Sequence, residues 1–416
     1  MSEPQITVYG AYWCPDCRRS KQFLGEHQIP YQWVDIEQDP AGEELVIAKN
    51  GGKRIIPTIV FGDGSALVEP SNAQLAAKLG LKTTASRSHY PVVIVGGGPA
   101  GLTAALYTAR EGIDTLVIER AALGGQAAAT EKLDNLPGFP ESIPGIEFAR
   151  RLRQQAERFG VELLQAQDVV NIHSHDNYHC VDTGDGSEYS AEAVIIATGS
   201  RYRRLGVPGE SDYIGAGVHF CATCDGPFYK GKHVAVVGGG NSAAEESLLL
   251  TKFADRVTLL VRGDQFKASQ VIQESVLGDP KIEVQWHTEV EGFVGAKSKL
   301  THLQLKNNQS GAHSELAVDG AFIFIGLDPN TAFLADSPIR RDQWGFLVTG
   351  HDLVHAGNRP VGYERRDPAL LETSIPGIFA AGDVRVGSTK QVASAAGEGA
   401  TAALLIREYL RAGHAG

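Results

Sequence analysis

No stretch of this 416-residue chain approaches about 18 uninterrupted apolar residues, and its opening MSEPQITVYG has no cationic segment leading into an apolar run. These absences exclude a membrane-spanning helix and a secretory leader, so a soluble, cytosolic protein is expected. Basic residues are also in deficit, with 38 Lys and Arg against 49 Asp and Glu and a formal net charge of -11. Binders of a phosphate backbone normally carry a basic face, so no nucleic-acid partner is expected. Five cysteines are too few for a disulfide scaffold of this length. Short-period repeats and low-complexity tracts are absent as well, which excludes solenoid and collagen-like architectures.

What is present is room for several cores: 416 residues with 43% hydrophobic content predict two to four domains. The 48 glycines against 19 prolines point to tight turns and close backbone approach to ligands, as in α/β nucleotide-binding proteins. The polar stretch KTTASRSH, residues 82–89, lacks apolar periodicity and precedes the buried-strand pattern YPVVIVGGG, so residues 82–90 read as a flexible linker. Before it, residues 1–81 alternate strand and helix signals in the order β-α-β-α-β-β-α.

Four of the cysteines form two Cys-x-x-Cys pairs, Cys14 with Cys17 and Cys221 with Cys224, while Cys180 stands alone. Zinc ribbons place two such pairs about 15–20 residues apart. Here the pairs stand far apart in the chain and each has a local redox explanation, so no metal is expected. Cys180, in YHCVDTG, reads as a small half-buried strand residue. Cys14 follows a strand and opens a helix, where unpaired N–H groups and the positive dipole end favour a thiolate, and Arg18, Arg19 and Lys21 add charge. Cys14 is the expected nucleophile and Cys17 the resolving thiol; a structural disulfide is the alternative. Asp16 reads either as a solvated helix-start charge or as a group that tunes Cys14. In KRIIPTIVF, Pro57 begins a strand, and a cis Ile56–Pro57 bond would turn the backbone toward the pair, placing Pro57 to meet a substrate.

The combination WCPDC, DIEQDP, NGGKRIIPT and FGDGSALVEPSN resembles the glutaredoxin and thioredoxin fold, and within it the mycoredoxin-like branch, over residues 4–81. It departs from many glutaredoxins in lacking a GGCDD-type segment that grips glutathione.

Beyond the linker, PVVIVGGGPAGLTAALYTAREGIDTLVIER is a strand, a glycine turn, a helix and a second strand ending in an acid. Gly96 permits the turn, Gly98 admits a pyrophosphate and Gly101 lets helix and strand pack; Glu119 is placed to accept from a ribose hydroxyl. A second copy carries Gly238 and Gly240, with Ala243 in place of the third glycine, and its second strand ends in Arg262. A positive side chain there, with Lys267 as a second charge, suits the 2′-phosphate of NADPH; solvated surface positions are the alternative.

Two dinucleotide turns suggest a flavin enzyme fed by a nicotinamide. GGQ at residues 124–126, NLPGFP from Asn135, IIATGS at 195–200, CATCDG, and PGIFAAGDV with Asp383 make residues 91–416 resemble the low-molecular-weight thioredoxin reductases. The resemblance implies an α/β chain: a thioredoxin-fold domain followed by two Rossmann-like three-layer domains, the NADPH domain inserted into the FAD domain. The expected limits are 1–81 for the glutaredoxin-like domain, 82–90 for the linker, 91–204 and 326–416 for the FAD domain and 205–325 for the NADPH domain. It further implies FAD held through Gly96, Gly98, Gly101, Glu119 and Asp383, with Gln126, Asn135 and Gln391 near its ring. Cys221 and Cys224 would be the redox pair of the inserted domain, Cys224 facing the flavin and Asp225 giving and taking the proton; a simple turn role for Asp225 is the alternative.

Three departures stand out. VRGDQFK is less basic than the family's HRRxxxR pattern, Gly263 and Lys267 replacing arginines; residues 349–374 are longer than expected; and Lys390 stands where arginine often precedes the glutamine. The expected activity is an electron relay from NADPH to FAD, to Cys221/Cys224, to Cys14/Cys17, to an external disulfide of a thioredoxin- or glutaredoxin-type protein, a low-molecular-weight thiol or a peroxiredoxin. The relatives' behaviour implies rotation of the NADPH domain and a homodimer. A dedicated peroxiredoxin reductase and a flavin-bound redox sensor are the competing readings.

Overall fold

The computed structural model describes residues 6–413, apart from residues 28, 131, 134, 176–177, 297–298 and 356–358, and leaves the side chains of residues 26, 129 and 224 undescribed. The chain divides into two compact units, one of residues 1–129, 145–199 and 330–416, the other of residues 130–144 and 200–329.

The first unit opens with β1 (Ile6–Gly10), α1 (Pro15–Glu26), β2 (Gln32–Asp35), α2 (Pro40–Lys49), β3 (Thr58–Phe61), β4 (Ala66–Val68) and α3 (Asn72–Lys78). Each helix starts where the sequence supplies a cap. Pro15 and Pro40 occupy first turns, Asp39 accepts from the Ala41 and Gly42 amides, and Ser71 and Gln74 form a reciprocal capping box. The sheet runs β2-β1-β3-β4, parallel between β1 and β2 and antiparallel elsewhere. Val8, Leu24, Ile59 and Leu75 fill its core. The Ile56–Pro57 bond before β3 is cis.

Residues 82–88 then lead into β5 (His89–Val95), followed by α4 (Pro99–Arg110), β6 (Thr115–Ile118), β7 (Glu162–Leu164), β8 (Val169–Ser174), β9 (His179–Thr183) and β10 (Glu188–Ile196). The connecting segment makes a group of polar contacts. Glu162 accepts from the Ser86 amide at 2.6 Å, the Ser86 hydroxyl at 2.7 Å and the Tyr90 hydroxyl at 2.6 Å, and pairs with Lys82 Nζ at 2.6 Å. The Gln165 amide donates to the Lys82 carbonyl at 2.9 Å, and Ala166 packs with Leu79 and Leu81 against the first sheet's core. The polar side chains of this segment are the ones that make these contacts.

The larger sheet is ordered β7-β6-β5-β10-β9-β8, with Ile378–Ala380 pairing in parallel along β10. Along β5, Val92 and Ile94 enter one core while Val93 and Val95 enter the other, as alternation requires of a strand covered on both faces. Helix α4 lies in the first of these cores with the C-terminal helix Val392–Gly413.

The second unit holds a five-stranded parallel sheet in the order Val218–His219, Gly320–Ile323, His233–Val237, Arg256–Leu260, Ile282–Gln285. A three-stranded antiparallel sheet, Thr288–Ala296, Lys299–Asn307 and His313–Ala317, adjoins it in sequence. No helix among the described residues is long and apolar enough to cross a membrane.

Candidate active site

Cys14 caps α1, and the Cys17 amide donates to its sulfur at 3.1 Å. The Cys14 thiol also lies 3.9 Å from the Ile56 carbonyl, so the cis Ile56–Pro57 bond lies beside the pair as its sequence position implied. Both thiols are free and buried. Burial first, then the neighbouring Cys14 sulfur and the Asp16 charge, push the Cys17 thiol up to about 12. Cys17 therefore keeps its proton at neutral pH. Gly10 makes room for this: a Cβ there would stand 2.6 Å from Cys17 Sγ and 2.8 Å from the Trp33 ring.

The surrounding charges are arranged differently from the sequence expectation. Arg19 pairs with Asp16, and Lys21 lies over the Trp33 ring, 4.2 Å from its centre. Beside the cysteine, Tyr12 and Trp13 are 64% and 60% exposed, an apolar lip next to the thiol.

In the larger sheet, Gly96 has φ +108, and a Cβ would stand 2.4 Å from the Ala197 carbonyl; at Gly101 one would stand 1.9 Å from the Gly96 carbonyl. Gly98 caps α4 with no side chain, leaving first-turn amides for an anion. The Gly124–Gly125 turn abuts it, a Gly125 Cβ falling 3.2 Å from the Gly98 Cα, and carries the exposed Gln126. Glu119 accepts from the Gly97 amide at 2.6 Å and the Ala121 amide at 2.9 Å. Burial pushes its carboxyl up against those two bonds.

Asp383 joins the same corner: a Cβ on its neighbour Gly382 would lie 3.0 Å from Ala100 in α4. Burial raises Asp383, opposed by Lys390 and by the Ser388 hydroxyl at 3.1 Å. Lys390 donates to the Asp383 carbonyl at 2.9 Å, and burial lowers its own pKa. Gln391 stands immediately before the C-terminal helix, half-buried, whereas Asn135 is exposed and belongs to the other unit. The glycine cradle, open helix start and flanking carboxylates fit a dinucleotide such as FAD.

The second unit repeats the cradle. Gly238 has φ +149 with the Phe324 carbonyl 2.4 Å from a would-be Cβ, and Gly240 caps the helix Asn241–Leu250 without a side chain. Ala243, at the position of the pattern's third glycine, puts its methyl into the core with Ala222 and Val236. Arg262 and Lys267 are exposed, the Lys267 amide donating to Gly239 at 2.7 Å and the Arg262 carbonyl accepting from Asn308 at 2.9 Å. Among the described residues neither side chain has an ion-pair partner, and two such cations by an open glycine turn fit a phosphorylated nicotinamide dinucleotide.

Cys221 is disulfide-bonded and half-buried, while the side chain of Cys224 lies outside the described residues. The Asp225 amide donates to the Cys221 carbonyl at 3.1 Å. Sequence reasoning missed what stands behind Asp225: its Oδ2 is 3.3 Å from His219 Nδ1, and His219 Nε2 is 2.6 Å from the Tyr229 hydroxyl. His219 is 8% exposed and Tyr229 7%, with the Phe322 ring beside both. Burial, then the charges of Asp225 and Asp319, raise the Tyr229 pKa. The phenol therefore keeps its proton; in the Nδ1–H tautomer of the imidazole, Nε2 accepts from that phenol and the Nδ1 proton faces Asp225. The only sequence signal was a histidine two positions before Cys221 in HFC. Cys180 is buried, and burial first, Glu188 second, push its thiol up to about 11, outside the redox set.

The family model for pyridine nucleotide-disulphide oxidoreductases matches residues 90–399, and the glutaredoxin model matches residues 6–65. The chain is 42% identical to a thioredoxin reductase of Treponema pallidum over 321 residues, 77% of this chain and 97% of that one. It is 39% identical to the thioredoxin reductase of Bacillus subtilis, over 77% of this chain and 95% of that one. Among solved structures it resembles thioredoxin reductase from Streptococcus pyogenes, at TM-score 0.70 and 38% identity over 79% of this chain and all of that one. The thioredoxin reductase of Giardia duodenalis follows at TM-score 0.69 and 33% identity, over 78% of this chain and all of that one. With two dinucleotide cradles, a disulfide at Cys221 and a capped dithiol at Cys14, the chain belongs to the pyridine nucleotide-disulphide oxidoreductases that use FAD and NADPH, and carries a glutaredoxin domain at its N-terminal end.

Proposed function

We propose that this disulfide reductase passes its electrons through the fused domain, from Cys221/Cys224 to Cys14/Cys17 and on to an external disulfide. The glycine cradles at Gly96–Gly101 and Gly238–Ala243 would hold FAD and NADPH, which when bound would supply the electron pair that opens the Cys221/Cys224 disulfide. The residues assigned to FAD are Gly96, Gly98, Gly101, Glu119, Gln126, Asn135, Asp383 and Gln391, in segments 91–204 and 326–416. Those assigned to NADPH are Gly238, Gly240, Ala243, Arg262 and Lys267, in segment 205–325.

The chain's own sulfurs carry the rest. One thiolate of the reduced Cys221/Cys224 pair attacks the Cys14–Cys17 disulfide, forming a mixed disulfide; its partner thiol resolves that bond and leaves Cys14 and Cys17 reduced. Cys14 then attacks the external disulfide with Pro57 against the incoming strand, and Cys17 displaces the product. Each passage moves two electrons and two protons. Asp225 delivers the proton at the inner pair, held in place by the His219 Nδ1–H that Tyr229 fixes from behind. The acceptor is a disulfide of a thioredoxin- or glutaredoxin-type protein, a peroxiredoxin or a low-molecular-weight thiol, and the working form is a homodimer.

The observation that carries the relay is the asymmetry at the first pair: Cys14 receives the Cys17 amide while Cys17 holds its proton to about 12. The test is NADPH oxidation with an external protein disulfide such as insulin. Cys221→Ser is expected to abolish turnover, and Cys14→Ser to abolish it while flavin reduction by NADPH stays intact. Unchanged protein-disulfide turnover in Cys14→Ser would overturn the relay.

A further inference from the structure

At the antiparallel end of the larger sheet, β8, β9 and β10 lie side by side, with His173 opposite Cys180 and Asp182 opposite Glu188. Residues two apart on a strand share a face. His173, Cys180, Asp182 and Glu188 therefore gather on one face, joined by His175 just past the end of β8. His179, of opposite parity, is turned away and bonds Ser174 Oγ through Nδ1 at 2.8 Å.

The donor atoms are close-set. Ring nitrogens of His173 and His175 and the Cys180 sulfur all lie within 4.8 Å of one another, and so do His173, Asp182 and Glu188 through theirs. His173 Nδ1 is 3.3 Å from Asp182 Oδ2, and its Nε2 is 3.8 Å from Glu188 Oε2. Yet Nδ1 is shielded from solvent and completes no hydrogen bond. The group is also short of positive charge: among the described residues no Lys or Arg pairs with Asp182 or Glu188, although Asn171 Nδ2 donates to Asp182 at 3.0 Å.

We infer that this face is a zinc site, with His173 Nε2, His175, Cys180 Sγ and Glu188 as its four ligands and Asp182 orienting His173 through Nδ1–H. Two imidazoles, a thiolate and one carboxylate are the donor classes that zinc takes in tetrahedral array, whereas magnesium and calcium prefer oxygen alone. Ligand atoms bonded at about 2.0–2.3 Å around a tetrahedral ion stand roughly 3.3–3.8 Å apart; the His173, His175 and Cys180 donors lie within 4.8 Å of one another, and Glu188 approaches the set through His173 Nε2 at 3.8 Å. A carboxylate behind a ligating histidine fixes its tautomer, which gives the Nδ1 of His173 the partner it otherwise lacks. Binding exchanges the Cys180 proton for the ion, so no redox change is involved. The half-exposed His173 and exposed His175 form the way in to the buried sulfur.

The test uses the full-length, FAD-loaded protein with Cys14→Ser and Cys17→Ser, which removes the other free thiols. After chelator treatment it is titrated with zinc chloride against a chromophoric chelator. One zinc per chain is expected, with a zinc absorption spectrum showing one sulfur neighbour at about 2.3 Å. His175→Ala, at an exposed position, is expected to weaken binding by more than the roughly 10- to 100-fold that follows loss of an outer partner, and Cys180→Ser to remove the sulfur neighbour. Zinc affinity unchanged by both substitutions, or a shell of nitrogen and oxygen alone, would overturn the site.

Discussion

Replacing Glu162 by Gln should loosen the connection between the glutaredoxin domain and the larger sheet. The native carboxylate takes three hydrogen bonds, from Ser86 N, Ser86 Oγ and Tyr90 OH, and an ion pair with Lys82, all at 2.6–2.7 Å. Burial alone would raise its pKa, but Lys82, Tyr90 and Ser86 outweigh it and hold it at about 2, against an ordinary 4.5. At about 1.36 kcal/mol per unit that difference is roughly 3 kcal/mol before screening. Lys82 is 52% exposed and its pair is correspondingly weakened by water, so the retained contribution is about 1–2 kcal/mol. Because the folded-state pKa is depressed, this stabilisation is complete above the unfolded value near 4.5 and is lost as the pH falls through about 2. Glu162→Gln keeps the shape and removes the charge. Hydrogen exchange at pH 7 reads the result at the Ser86 amide, which should open roughly 5- to 30-fold more often in the variant. Native and variant stabilities should converge in denaturant titrations as the pH approaches 2. Equal Ser86 exchange in the two proteins would refute the reasoning and restore residues 82–88 to the status of a loose tether.

Substituting His219 by Asn should slow dithiol formation at Cys221 by about tenfold, at the low end of what proton transfer contributes, and displace the pH profile of that single-turnover step; a slower rate with an unmoved profile would reduce His219 to packing. Gly101→Ala places a methyl 1.9 Å from the Gly96 carbonyl, so the variant should purify without flavin absorbance. Arg262→Ala should raise the KM for NADPH about tenfold and leave that for NADH nearly unchanged, as loss of a charge-assisted phosphate bond requires; equal effects on both would remove the 2′-phosphate contact.

The features legible in the sequence are those that local geometry dictates. Gly96, Gly101 and Gly238 sit where a Cβ would strike backbone carbonyls, so the turn announces itself in the residue type. The β-α-β-α-β-β-α order of the first domain follows from short-range alternation and caps. Features assembled by pairing were not legible. Glu162 gathers donors from residues 82, 86 and 90, and His219 meets Tyr229 only because a strand and a short helix converge. His173 meets Cys180 only once the β8–β9 register is set. Arg19 and Lys21, near Cys14 in sequence, also show contacts that a sequence does not: the first with Asp16, the second with the Trp33 ring.

Under the proposed relay, the protonated, fully buried Cys17 means that any partner attacked by Cys14 waits, covalently attached, for that one inner thiol. A chain with Ser at position 17 would complete the first half of the exchange and stop there. The enzyme would become its own snare, and the acceptor of its electrons would be recovered as a disulfide-linked adduct that reductant alone releases.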